Sequence, residues 1–302
     1  MRTAFLTSLA LGTLQAAHPA VAAELETIPL PPLQVHGQAA SAHTQGMEIV
    51  DGQFYVTARL ETAQPKRAIL ARTTPKSTGW DTWDITPATP PEAAGPLDHP
   101  GGFQSDGARL WIPVSESLRH GRTVIRVFAL ARLTPGQAAS SDFDFAVADH
   151  IGALAVATNQ STLLGANWDT ETVYVWDLKG RLQQTLTGLE LKSRGLGILS
   201  GAGGHPGVAV QDWKMYGARL YASGLFGDPG STRPRPRSRL LEFTHFLESN
   251  FQCEKIPLPN EQPVELAQEA MVLSRGFLYF LPEDLGSSNR CFRFRPAAQR
   301  PR

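Results

Sequence analysis

The chain is poor in the features that define several large protein classes. Two cysteines in 302 residues are too few for a disulfide-dense scaffold or a cysteine-based zinc module. Basic and acidic side chains number 28 each, for a formal net charge of zero. The electrostatic drive of non-specific nucleic-acid binding is therefore absent, and nucleic acid is not an expected partner. Beyond the N-terminus no apolar run approaches the about 20 residues a spanning helix requires, so no membrane span is expected. The patterns G-x-S-x-G, G-x-x-x-x-G-K-S/T, H-E-x-x-H and C-x-x-C are all missing. Their absence removes the usual support for a hydrolase nucleophile elbow, a phosphate loop, a zincin helix or a dithiol centre.

What is present is an ordinary globular composition, with 42% apolar side chains, 27 Gly and 23 Pro, enough to bury a core. Residues 1–23 combine Met1-Arg2, an apolar stretch through Leu14 and the small-residue end Ala20-Val21-Ala22-Ala23. This three-part pattern is that of a secretory signal peptide. Cleavage is expected after Ala22 or Ala23, leaving residues 24–302 as a single periplasmic or secreted domain, expected to be a monomer.

An internal repeat carries most of the information. Gly52-Gln53-Phe54-Tyr55-Val56, Gly107-Ala108-Arg109-Leu110-Trp111, Gly217-Ala218-Arg219-Leu220-Tyr221 and Gly276-Phe277-Leu278-Tyr279 share a turn glycine followed by an apolar strand with an aromatic. Their glycines are spaced by 55, 110 and 59 residues. The doubled middle interval places a degenerate copy near position 162, at Gln160-Ser161-Thr162. Short strands at this period point to four-stranded propeller blades.

An all-β, five-bladed β-propeller follows, with a first inner strand at 47–50 and the segment 25–30 supplying the outer strand that the last blade lacks. Closing the ring in this way removes exposed sheet edges. A six-bladed ring is the alternative, but it requires a shorter period than the glycines keep. Cys253 and Cys291 are assigned to strands in adjacent blades, and an oxidising compartment leads to the expectation that they form a disulfide. The run from Arg233 to Arg237, alternating arginine and proline, reads as a solvated hairpin.

Half of the eight histidines keep one repeat phase: His43, His99, His150 and His205 recur at intervals of 56, 51 and 55. Inner strands of a propeller start beside the axis, so residues of equal phase converge there from different blades. His205 keeps phase least well, and Gln211 or Asp212 is expected in its place. Gln45, Glu48, Gln104, Asp149, Gln268 and Glu269 lie at or near the same phase. The candidate ligand-binding set is His43, Gln45, His99, His150, Gln211, Asp212, Trp213 and Glu269, with His43, His99 and His150 as candidate ligands of a divalent metal. Imidazoles beside carboxylates equally suit metal-free binding of a small molecule or acid–base catalysis, and a purely structural polar channel is the plain alternative. Trp111, Tyr221 and Tyr279 are expected in inter-blade packing, whereas Trp168 and Trp213, each beside a polar residue, are both candidates to line a pocket mouth. Asp98 and Asp149 precede two of the histidines, but strand alternation turns each away from its neighbour.

The segments His43-Thr44-Gln45-Gly46, His99-Pro100-Gly101-Gly102-Phe103, Asp149-His150-Ile151-Gly152, Gly165-Ala166-Asn167-Trp168 and Val210-Gln211-Asp212-Trp213 resemble a family of secreted propellers known only as a domain of unknown function. That resemblance implies the fold and no activity. The opening H-T-Q-G also resembles glutaminyl cyclases of the plant and bacterial type, which would imply an acyltransferase. Their acidic F-G-E-G segment is replaced here by Gly101-Gly102-Phe103-Gln104, so the cyclase glutamate has no counterpart. The functional expectation is an exported propeller that binds a small ligand or metal at its axis. The alternatives are an axial enzyme (lyase, hydrolase or cyclase) and a protein-interaction scaffold.

Overall fold

The computed structural model describes residues 24–193, 207–227, 237–248, 251–259 and 264–296. The expected signal segment, His205 and residues 233–236 of the arginine–proline run lie outside these.

Five antiparallel four-stranded sheets stand around an axis. The first blade is Ala42–Val50, Gln53–Leu60, Arg67–Thr73 and Asp81–Asp84. The second has an interrupted inner strand, His99–Pro100 and Gln104–Ser105, then Arg109–Ser115, Thr123–Ala129 and Phe143–Val147. The third is Ile151–Ala157, Thr162–Asn167, Val173–Asp177 and Leu182–Leu186. The fourth is Gly207–Tyr216, Arg219–Gly227, Arg237–Thr244 and Gln252–Lys255. The fifth is Ala270–Ser274, Phe277–Leu281 and Asn289–Phe294, completed by Glu26–Leu30 from the other end of the chain. That N-terminal strand pairs antiparallel with Asn289–Phe294 along its whole length, the ring closure expected from sequence.

The repeat glycines have a common backbone cause. Gly52, Gly107, Gly217 and Gly276 all hold positive φ in the turn between first and second strands, the left-handed region in which a side chain is strained. In the third blade Ser161 takes the same role at φ 51°, which explains the degenerate copy. The first inner strand begins at Ala42 rather than at residue 47, because a bulge at Gln45 lets the strand continue where alternation breaks.

Alternation turns each strand's apolar residues to both faces, so a separate core fills each space between blades. Leu70, Phe103 and Leu110 lie between blades one and two, and Trp111, Leu154 and Trp176 between two and three. Trp213, Leu164 and Phe243 lie between three and four. Tyr221, Met271 and Phe280 fill the next space, and Val56, Tyr279 and Cys291 the last. Trp111, Tyr221 and Tyr279 are thus packing residues.

Two expectations are corrected here. Cys253 and Cys291 are free thiols. Cys291 packs toward blade one and Cys253 toward blade three, so the two side chains face away from each other across the fourth and fifth blades. Trp213 lies in the core between blades three and four and not with the phased histidines. It is fully buried with its ring edge-on to Phe246 at 6.2 Å, because the bulge before Asp212 sends Asp212 to the axis and Trp213 into the core.

Candidate functional site

Three of the four phased histidines meet at one end of the axis, where the inner strands begin. His43 is the second residue of its strand and pairs across to Arg59. His99 pairs with Ser115, and His150 immediately precedes Ile151–Ala157. The His43 and His99 ring centres are 6.5 Å apart, and those of His99 and His150 5.3 Å. Trp168, from the loop after the second strand of blade three, lies 6.2 Å from His99 in a stacked orientation and 4.6 Å from His150 edge-on.

Each imidazole is held through Nδ1. His150 Nδ1 lies 2.7 Å from the Glu116 carbonyl and 3.1 Å from that of Leu118. A carbonyl only accepts, so Nδ1 carries the proton and Nε2 keeps its lone pair. Arg59 Nη1 donates to His99 Nδ1 at 3.3 Å. A guanidinium only donates, so the neutral His99 ring carries its proton on Nε2. His43 Nδ1 donates to Asp284 Oδ1 at 2.7 Å. Among the described residues no partner bonds Nε2 of any of the three.

The environments split their protonation. The Asp284 hydrogen bond holds the His43 pKa above its ordinary value. Burial pushes His150 down to about 4. His99 is pushed well below 6.5 by burial and by the positive charges of His150, Arg59 and His43. Glu269, just before the fifth inner strand, is partly buried, and its Oε2 is fully buried without a hydrogen-bond partner. Burial raises this carboxyl to about 8, against the attraction of His43. The mouth therefore combines a carboxyl shifted toward its protonated form, a His43 shifted toward imidazolium and two imidazoles shifted toward the neutral form, with opposite hydrogen-bonding sense.

Asp98 and Asp149 do not contact the imidazoles they precede. Asp98 accepts from Ser117 Oγ at 3.1 Å. Asp149 accepts from Asn167 at 3.0 Å, from Tyr174 at 2.9 Å and from the His150 backbone at 2.8 Å.

The rest of the expected ring belongs to the axis beneath the mouth. Asp212 and Lys214 are completely buried and paired at 2.5 Å. Asp212 Oδ2 also accepts from the backbone N–H of Met47 at 3.3 Å and of Met271 at 3.1 Å. Lys214 Nζ donates to the Phe103 carbonyl at 2.6 Å. One ion pair thereby ties four blades together. Gly102 makes room for it, since a Cβ there would sit 2.6 Å from Asp212 Oδ1. Asp212 is therefore corrected from a ring ligand to an axial strut. Gln104 serves below it, accepting from Val156 and Met215 N–H at 2.9 and 2.8 Å. Glu48 accepts from Ile49 and Ser105. Gln45 is buried at its bulge and Gln211 half-buried at another. Gln268 donates to the Pro282 carbonyl at 2.6 Å.

Sequence reasoning missed Arg59 and Asp284. Both come from the ends of second strands or the loops that follow, which the inner-strand phase does not index. Among the described residues no group of three or more His, Cys, Asp or Glu is arranged to hold a metal ion. The Arg59 bond adds a chemical obstacle, because it places the His99 proton on the nitrogen a shared ion would need. A groove lined by Arg72, Lys76, Trp80 and Asp81 lies at the opposite end of blade one, away from this chemistry.

Among solved structures, the chain is similar to an exo-1,5-alpha-L-arabinanase from a bovine ruminal metagenomic library. That likeness has 12% identity and TM-score 0.53, covering 85% of this chain and 94% of that one. It is also similar to a bifunctional GH43-CE protein of Bacteroides eggerthii, at 10% identity and TM-score 0.52, covering 89% of this chain and 34% of that one. At such identities the likeness is one of fold. No curated protein matches the chain in sequence. Among the described residues no helix is long and apolar enough to cross a membrane. A family model matches residues 27–194, more than half of the chain, and the protein belongs to that family, described as a Family of unknown function (DUF6454).

Proposed function

We propose that the axial mouth is the binding site for a small polar ligand, in a protein exported from the cytoplasm. The observation that carries this reading is the set of three imidazoles from three blades, each fixed through Nδ1 and each with Nε2 unbonded among the described residues. One nitrogen of each ring is thus spent on positioning the imidazole, and the other is open to a ligand. Trp168 supplies an aromatic wall. The three imidazoles also remain candidates for a divalent metal in sequence terms, but the Arg59 contact with His99 favours an organic ligand.

The test is a thermal-shift screen of small metabolites on wild type, His99→Ala and Trp168→Ala. Binding raises the melting temperature by mass action, so compounds that stabilise wild type should lose that effect in both variants. Stabilising compounds that ignore both substitutions would overturn the reading. Export is tested by intact mass of the mature protein from its native host, which should lack residues 1–22 or 1–23.

A second reading, acid–base catalysis at the same mouth, is favoured by Glu269. A carboxyl raised to about 8 near a histidine backed by Asp284 is a proton donor beside a group of separate proton affinity, the arrangement that acid–base enzymes use. The arabinanase and the GH43-CE protein indicate that this fold can carry enzymes. They assign no reaction here.

A further inference from the structure

We propose that the ligand of the axial mouth is a small hydroxycarboxylate, its carboxylate set against Arg59 and His99 and its hydroxyl against His150. This rests on the reading of the mouth as a binding site and names the class of molecule it takes.

The argument starts from hydrogen-bonding sense. His150 gives its only proton to two carbonyls, so its Nε2 accepts and requires a donor from the ligand. His99 is turned the other way by Arg59, so its Nε2–H requires an acceptor. With ring centres 5.3 Å apart, one small molecule spans both, and it must present an acceptor and a donor side by side. A carboxylate alone offers only acceptors, and an aliphatic amine only donors. A hydroxyl next to a carboxylate offers both.

Donor geometry selects the carboxylate for the His99 side. Arg59 reaches Glu61 through Nε at 2.6 Å, but Glu61 is shared with Lys66 at 2.5 Å. Glu61 is thus shared between two cations and engages Arg59 only through Nε. Arg59 Nη1 also donates to Ser117 Oγ at 3.0 Å, which holds the guanidinium in place, and Nη2 is unbonded among the described residues. The other carboxylates around the mouth have their own hydrogen bonds or ion pairs, Asp284 with His43, Asp169 and Glu171 with Arg119, Asp98 with Ser117, and Asp149 with Asn167 and Tyr174, so the selection of an anion rests on the directed Arg59 and His99 donors and not on net charge. Glu269 is the exception, and its buried, unpartnered oxygen calls for a hydrogen-bonding group from a ligand. As a protonated carboxyl it donates to a ligand oxygen without repelling an anion.

The experiment uses four probes on the full chain: glycolate against acetate, which lacks the hydroxyl, and glucuronate against glucose, which lacks the carboxylate. Binding is followed by titration with NMR of the histidine side-chain nitrogens. Glycolate and glucuronate should bind at least tenfold more tightly than acetate and glucose, and should move both His99 and His150 Nε2. Arg59→Met should weaken hydroxycarboxylate binding at least tenfold and abolish the preference for glucuronate over glucose. Equal binding of glycolate and acetate, or of glucuronate and glucose, overturns the proposal. The wild-type probe pairs decide the question even if Arg59→Met fails to fold. If a different small molecule moves the imidazoles while none of the four does, the class is wrong and the binding-site reading stands. If no small molecule moves them, both fall.

Discussion

Glu269 links the chemistry of single residues to the stability of the whole. Its folded pKa of about 8 lies above the ordinary 4.5, so between those values the folded state holds a proton that the unfolded state has released. Its contribution to stability is complete below pH 4.5 and is lost as pH rises through about 8. His43, also raised, adds a loss of the same sign above pH 6.5. His150 acts oppositely: lowered to about 4, it is a stabilising neutral group above pH 6.5 whose contribution is lost as pH falls toward 4. Glu269→Gln should therefore flatten only the alkaline limb of the melting curve. At pH 8.5 the variant should melt on the order of 3 °C above wild type, with no gain at pH 5. Equal slopes for the two proteins between pH 6 and 9 would show that the carboxyl ionises normally. His150 is expected to dominate the acid side, so His150→Gln should lose less stability than wild type between pH 6.5 and 4, measured by denaturant unfolding at each pH.

At the scale of elements, the closing strand Glu26–Leu30 carries the clearest consequence. All five of its residues pair with Asn289–Phe294, and Pro31 just beyond it accepts from Trp80 Nε1 and Asn289 Nδ2 at 2.8 and 2.6 Å. Deleting residues 24–32 would expose the edge of the fifth blade and uncover Cys291 and Leu281 in the core against blade one. The truncated protein should melt at least 10 °C lower or lose a cooperative transition, as followed by circular dichroism. An unchanged melt would mean that the ring does not depend on this strand. This closure was legible in the sequence because turn glycines mark four of the five blades at a period that places the fifth, and the last blade is left a strand short. The convergence of His43, His99 and His150 was legible for the same reason, since inner strands keep phase. Arg59, near the end of a second strand, and Asp284, in the loop after another, were not, because the phase of the inner strands does not index these positions. Trp213 was misread because a bulge reverses alternation, and nothing in the local residues announces it. The disulfide expectation failed on direction: adjacency of blades says nothing about which face a cysteine takes. Thiol titration of the unfolded, unreduced protein should accordingly find two free thiols.

The molecule as a whole is a ring whose centre is held by one ion pair. Asp212 and Lys214 come from a single strand, yet they bond the backbones of blades one, two and five as well. In this position the pair does what a core cannot, because the five inter-blade cores each join only two neighbours. Burying two charges is costly, and the mutual attraction offsets that cost only while both partners and their backbone contacts remain. Burial already raises the Asp212 pKa, so the carboxylate depends on Lys214 to stay ionised. Asp212→Asn should then cost about 3–5 kcal/mol, because it leaves a buried ammonium without its counter-ion. Lys214→Met should be similarly severe, because it leaves the carboxylate without its counter-ion. The double variant Asp212→Asn with Lys214→Met removes both charges and keeps a side-chain acceptor for the Met47 and Met271 N–H groups. It should therefore lose much less than the sum of the two single changes. Urea unfolding of the four proteins measures the coupling. A strictly additive cycle would mean that each residue acts alone. A non-additive one would show that the pair is a unit joining four blades at the axis.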